Sequence, residues 1–227
     1  MQEESPLSLK ETSRYANKKA TDRKFAGILL SLGAMSFILL TTMSEAIYPN
    51  FNLQKNAISD LAAIGTSTTV IEETAILGLA ICWIVGAYLL FRASGRRGMM
   101  ALNILPGIGY LMAGVSPENV NLIVHSAGAL LAFPFGAIAA VLSYRTINTP
   151  FKYFGVALGA LSLVATFVTF FGESLVGPCG TCTGNNPSYL ASLDKLYLGL
   201  GGWESMIIYP ILLWLIGLGG YLLSERS

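Results

Sequence analysis

The chain has 227 residues, 53% of them hydrophobic and only 12% charged, with a mean hydropathy of +0.60. A soluble domain carries about a quarter of its residues as charges because its surface must be solvated, so a water-soluble globular protein is excluded. The formal net charge of +1, with no basic surface beyond a short tail, gives nucleic-acid binding no support either.

Residues 1–24 form a short charged tail, and residues 25–223 follow as one transmembrane domain. The predicted spans are Phe25–Ile47, Thr74–Phe91, Met99–Val115, Asn121–Ser143, Tyr153–Gly172 and Trp203–Leu223. Their lengths lie near the roughly 17 to 25 residues that a helix needs to cross a bilayer. Helix pairs every backbone group within the segment, whereas a barrel would need shorter, alternating strands. The fold expected is therefore an all-α, six-transmembrane helix bundle.

Lys10, Arg14, Lys18, Lys19, Arg23 and Lys24 precede the first span. Arg92, Arg96 and Arg97 fill the second loop, Arg145 and Lys152 the fourth, and Arg226 the C-terminal tail. The alternate gaps hold only Lys55 and Lys195. This bias predicts a multi-pass protein of the cell membrane with both termini cytoplasmic. The first run lies too far from the N-terminus, and is too long, to be a cleaved signal peptide.

In the fourth span Gly128, Ala132, Gly136 and Ala140 recur every four residues, and Gly155 and Gly159 do so in the fifth. Such small-residue faces let helices approach closely, within one bundle or toward a partner membrane protein or second copy. Pro106, Pro134 and Pro210 interrupt three spans and can kink them. Asn103, near the basic end of the third span, is a structural polar group seeking an interhelical partner.

Eight of the thirteen acidic residues fall on the opposite side: Glu45, Asp60, Glu72, Glu73, Glu118, Glu173, Asp194 and Glu204. His125, the only histidine, enters the fourth span there and shares the face of Gly128. Asp60, Glu118, His125 and Glu204 are thus the candidates for acid/base catalysis or for a divalent metal site. The bland alternative is that loops depleted of cations look acidic, and that one histidine bonds a neighbouring helix. In the first outer loop, Asn56 to Gly65, Ser59 or Asp60 is placed to cap a short helix, with Ile58, Leu61, Ala62 and Ile64 against the bundle or the membrane. The Glu72–Glu73 pair heads the second span, where acidic groups suit a helix N-terminus. Cys179 and Cys182 in the fifth loop favour a disulfide, with a redox pair or two metal ligands as the alternatives.

At these residues the chain resembles a six-span membrane family, domain of unknown function 998, itself similar to FRAG/DRAM/Sfk-type membrane proteins. The resemblance rests on Asn56-x-Ile58-Ser59-Asp60-Leu61, Gly114-Val-Ser-Pro117-Glu118, His125-x-x-Gly-Ala-x-x-Ala-Phe133 and Gly202-Trp-Glu204. It covers roughly residues 25 to 223 and implies the fold and the outer-face residues, but no reaction. Ser205 stands where relatives often have arginine, and the cysteine loop is not a feature of that resemblance.

Nucleotide and phosphate motifs, a complete triad and an HExxH pair are missing from the sequence. A non-enzymatic, lipid-associated component or accessory subunit is therefore the leading expectation. The rival is an intramembrane enzyme acting on a lipid or lipid-linked substrate from the outer leaflet. A small transporter ranks third.

Overall fold

Both faces of the first long helix, α1 (Leu9–Ile47), are apolar over its membrane-length segment. Ile28, Leu32, Met35, Leu39 and Met43 form an exposed stripe, while Leu30, Ala34 and Phe37 are buried. A soluble surface helix keeps one polar face, so an outward stripe of this kind is suited to lipid. The computed structural model describes residues 9–176 and 198–224. Cys179, Cys182, Asp194 and Lys195 lie outside the described residues.

After α1 come α2 (Thr69–Ser94), α3 (Arg97–Val115), α4 (Leu122–Leu142), α5 (Phe151–Val176) and α6 (Gly199–Ser224). Five of these are long and apolar enough to cross a membrane, and α3 carries a shorter apolar stretch, Met100–Val115. The protein is thus a multi-span, all-α membrane bundle. The expected spans coincide with these helices except at their ends, where several helices run further. The charged residues from Leu9 onward are continuous with α1. There Lys19 sits over the ring of Tyr15, four residues earlier, at 4.5 Å.

Each helix packs on its neighbours in sequence, and α6 returns to α1, closing a ring. The close contacts are made where side chains are smallest. A Cβ on Gly109 would lie 2.5 Å from the Ala132 nitrogen and the Gly128 oxygen, so α3 and α4 touch backbone to backbone. The Gly128 and Gly159 faces anticipated from sequence are filled from within the chain, by α3 and α4 respectively. Pro106, Pro134 and Pro210 lie inside helices that continue through them.

The centre of the ring is aromatic. Trp83 stacks on Tyr110 at 6.0 Å and meets Trp214 at 6.4 Å, while Phe37 and Phe133 approach Tyr110 edge-on. Trp83 and Trp214 are fully buried. This aromatic plug separates the two ends of the bundle. The basic end carries Arg92, Arg96, Arg97 and Arg145, and the acidic end carries Glu45, Asp60, Glu118 and Glu204.

Candidate functional site

The acidic end is closed by the segment between α1 and α2, which folds over the bundle. Its centre is a short 3-10 turn, Ser59–Ala62, with Ile58, Leu61 and Ala62 buried and Ile64 exposed. The segment also contacts the start of α6. The Gly202 N–H donates to the Leu53 oxygen at 3.1 Å, and Gly201 lies against the Asn56 oxygen. At Gly199 φ is +65° and the backbone of Gln54 fills the space of a side chain, so only glycine fits.

The predicted carboxylates converge on this turn. Glu204 of α6 accepts from the Ile58 N–H at 2.6 Å, with the Ser59 N–H beside it. A carboxyl oxygen thus meets the unpaired amides that open a helical turn. Asp60 accepts from Asn56 Nδ2 at 3.1 Å and from the Ala57 N–H at 3.0 Å. The capping expected of Ser59 or Asp60 is corrected here. Ile58 precedes the turn with no side-chain cap, and Asp60 reaches backward to tie off the residues before it. Ser59 donates to Glu118 at 3.1 Å. Asn119 adds a two-way clasp, accepting from the Ile64 N–H and donating to the Ile64 oxygen, both at 3.0 Å.

Glu118 lies in the loop between α3 and α4. Burial, with the carboxyl of Asp60 close enough to share a proton, pushes it up to about 8. A carboxyl raised above its unfolded value of 4.5 contributes stability that is full below that value. The contribution is lost as pH rises through the folded value. The thermal midpoint is therefore expected to fall between about pH 4.5 and pH 8. Glu118→Gln should flatten that fall, and an unchanged slope would contradict the proton-sharing arrangement.

His125 is buried, and its Nδ1 faces the carbonyls of Ala113 and Ser116 at 3.3 and 3.2 Å. These lie at and just beyond the C-terminal end of α3, where helix carbonyls lack intrahelical partners. With Nδ1 donating, Nε2 is the other, accepting nitrogen. His125, Tyr110, Ser59 and Glu204 line a cavity of about 30 Å³ below the turn. That is room for a water molecule rather than a substrate. The Tyr110 hydroxyl is buried there with no hydrogen-bond partner among the described residues. Tyr110→Phe is accordingly expected to leave the thermal midpoint unchanged or raise it slightly, since no protein bond is lost. A fall of several degrees would mean that the hydroxyl holds a bound molecule.

Among the described residues, no three His, Cys, Asp or Glu side chains are grouped to hold one metal ion. Asp60 and Glu118 form one hydrogen-bonded pair, and Glu204, which borders the small cavity with His125, is close enough to feel the charge of both.

Glu72 is a residue whose placement was missed. Rather than sitting at an exposed helix start, it is fully buried against α1, where Thr41 donates to its Oε1 at 2.8 Å. The Ser44 hydroxyl, one helical turn on, faces the same carboxyl. The signal available was the Thr41/Ser44 pair, three residues apart on the buried face of α1.

At the basic end a larger cavity, about 330 Å³, opens between α1, α2, α3, α4 and α6. Arg23, Ser94 and Arg96 stand exposed at its rim, and Asn103, Thr146 and Tyr221 lie half-buried on its wall. Its floor includes Trp214, whose Nε1 donates to the Ser143 hydroxyl at 3.2 Å.

The profile of a family described as Protein of unknown function (DUF998) matches residues 31–221. No curated protein and no solved structure is matched.

Proposed function

The chain belongs to the DUF998 family, and we propose that it works as a non-enzymatic, lipid-associated membrane component. In this reading α3 completes a six-span bundle whose basic end and termini face the cytoplasm, in keeping with the arginine bias of that end. The observation that carries the reading is how the outer carboxylates are used. Glu204, Asp60 and Glu118 each accept a bond that fastens the capping segment. The space beneath them, about 30 Å³, is roughly a tenth of an ordinary small-molecule site.

A transporter has less support, because fully buried Trp83 and Trp214 stand between the cavities of the two ends. Association with a partner membrane protein or a second copy would use outward apolar faces such as that of α5, around Val164 and Phe167.

The enzyme reading keeps one observation in its favour, the Tyr110 hydroxyl beside His125 and Glu204, which has no hydrogen-bond partner among the described residues. Incubating the purified protein with a total polar lipid extract, and comparing lipid masses before and after, separates the two. No change in lipid masses is expected from wild type or from Glu204→Gln. A new lipid species that wild type makes and Glu204→Gln does not would overturn the non-enzymatic reading.

A further inference from the structure

We propose that the acidic-end tip of the α3–α4 hairpin, with Ile64 of the capping segment beside it, is immersed in the adjoining lipid leaflet. Its partner is the acyl region just beneath the head groups. The inference follows from helix length and surface chemistry, and it holds whether or not the protein has an enzymatic activity. It does rest on α3 as a membrane span.

Length comes first. A tight turn joins α2 to α3 at the basic end, where Gly95 has φ +69°. From that turn α2 runs for 26 residues and α3 for only 19. At about 1.5 Å per residue, α3 stops roughly 10 Å short of its neighbour. Its apolar stretch, Met100–Val115, covers about 24 Å, against the roughly 30 Å of hydrocarbon in a bilayer. With Arg96 and Arg97 at the basic interface, the loop after α3 begins at the depth of lipid chains rather than in water.

The side chains of that loop agree. Val115, Val120, Leu122 and Ile123 are exposed, and Ile123, at 82%, is the most exposed of the large apolar residues described. Ile64 is exposed as well, and the Asn119 clasp fixes it next to them. Glu118 is the only charged residue between Arg97 and Arg145, and it is half-buried, with Ser59 bonded to it. A contiguous exposed apolar surface marks a contact with lipid or with protein. Here it continues the outward apolar faces of the spans, which selects lipid.

The loop also satisfies its polar groups from within, as an apolar surrounding requires. The Val120 and Asn121 N–H groups donate to the Pro117 oxygen at 2.9 and 3.1 Å. Asn121 Oδ1 accepts from the Val124 N–H at 3.2 Å, and Ile64 engages both ends of the Asn119 amide. The first half of the capping segment, against the start of α6, has the opposite character. There Asn50, Asn52, Gln54 and Lys55 are exposed. The acidic end is thus slanted, wet near α6 and sunk into lipid at the α3–α4 tip. The bilayer holds one flank of the cap while Glu204 holds it from within.

The test places the photoreactive residue p-benzoylphenylalanine singly at Val120, Ile123, Ile108 and Lys55 of the full chain, in phosphatidylcholine nanodiscs. After irradiation, peptide mass spectrometry reads what each position has bonded to. Ile108, on the outward side of α3, marks the span, and exposed Lys55 marks water. Acyl-chain adducts at Val120 and Ile123 should match those at Ile108 and exceed those at Lys55 about tenfold. Adducts at Ile108 alone overturn the immersion and leave α3 as a span. No adducts at Ile108 would remove α3 from the bilayer, and the immersion with it. Bonding of Val120 or Ile123 to a second protein chain would make the tip a protein interface and overturn the lipid contact. Equal labelling at Lys55 would overturn the slant.

Discussion

Glu204→Ala is expected to lower the thermal midpoint of the purified protein by roughly 5 °C or more and to loosen the segment over the acidic end. The Glu204 carboxylate accepts from the Ile58 N–H at 2.6 Å, bridging residues 146 apart in sequence. A buried hydrogen bond contributes about 0.5 to 1.5 kcal/mol, and amides abandoned out of reach of water cost about 1 to 3 kcal/mol more. For a chain of this size, 1 kcal/mol moves the midpoint by about 2 to 4 °C. Glu204→Gln keeps an acceptor at the same reach and should lose about half as much. If both variants melt with wild type, the carboxylate does not hold the cap.

The largest effect expected of a single substitution is at Gly109. In Gly109→Val the new Cβ would stand 2.5 Å from backbone atoms of α4, which cannot swing aside as the tip of a side chain can. The two helices must separate, and the whole α3–α4 seam loses its packing. Overpacking a buried contact costs about 1 to 3 kcal/mol, and a clash with backbone lies at or above that range. The variant should fail to accumulate in the membrane or should melt about 10 °C lower, near the top of the roughly 6 to 12 °C that 3 kcal/mol gives a chain of this size. Gly78→Ala makes the matching control, because nothing lies within 4 Å of its new Cβ on α2. There the substitution should raise stability slightly, since alanine suits a helix better than glycine by roughly 0.5 to 1 kcal/mol. Equal behaviour of the two variants would contradict the close approach of α3 and α4.

What could be read from the sequence followed from composition over long windows. Each helix carries a continuous apolar run, and helices that face lipid need no polar stripe, so an all-α, multi-span bundle shows in the residue order alone. A bias of Arg and Lys between alternate loops shows in the same way. Glu204 and His125 stood out because single polar groups at the ends of apolar runs are rare.

What could not be read depends on which helix lies opposite which. Glu72 resembles an ordinary acidic residue at a helix start until α1 brings Thr41 to 2.8 Å from it. Asp60 resembles an N-cap, yet its carboxylate turns back to Asn56 and Ala57, because Ile58 enters the turn already helical in φ and ψ. The basic-end cavity is built by five helices, with α1 and α4 contributing one residue each, and by the turn after α4. No local pattern announces such a space, and Asn103 read alone suggests only an interhelical bond.

The measurement that bears most directly on the outer carboxylates as a structural latch is hydrogen exchange at the amides of Ala57, Ile58 and Ser59, with the protein held in lipid nanodiscs. In wild type these amides should be protected, since Asp60 and Glu204 accept from Ala57 and Ile58. In Glu204→Ala the Ile58 and Ser59 amides should exchange at least tenfold faster, while the central turns of α2 and α6 keep their protection. Unchanged exchange at Ile58 and Ser59 would contradict the latch and return Glu204 to the set of groups free to act on a bound molecule.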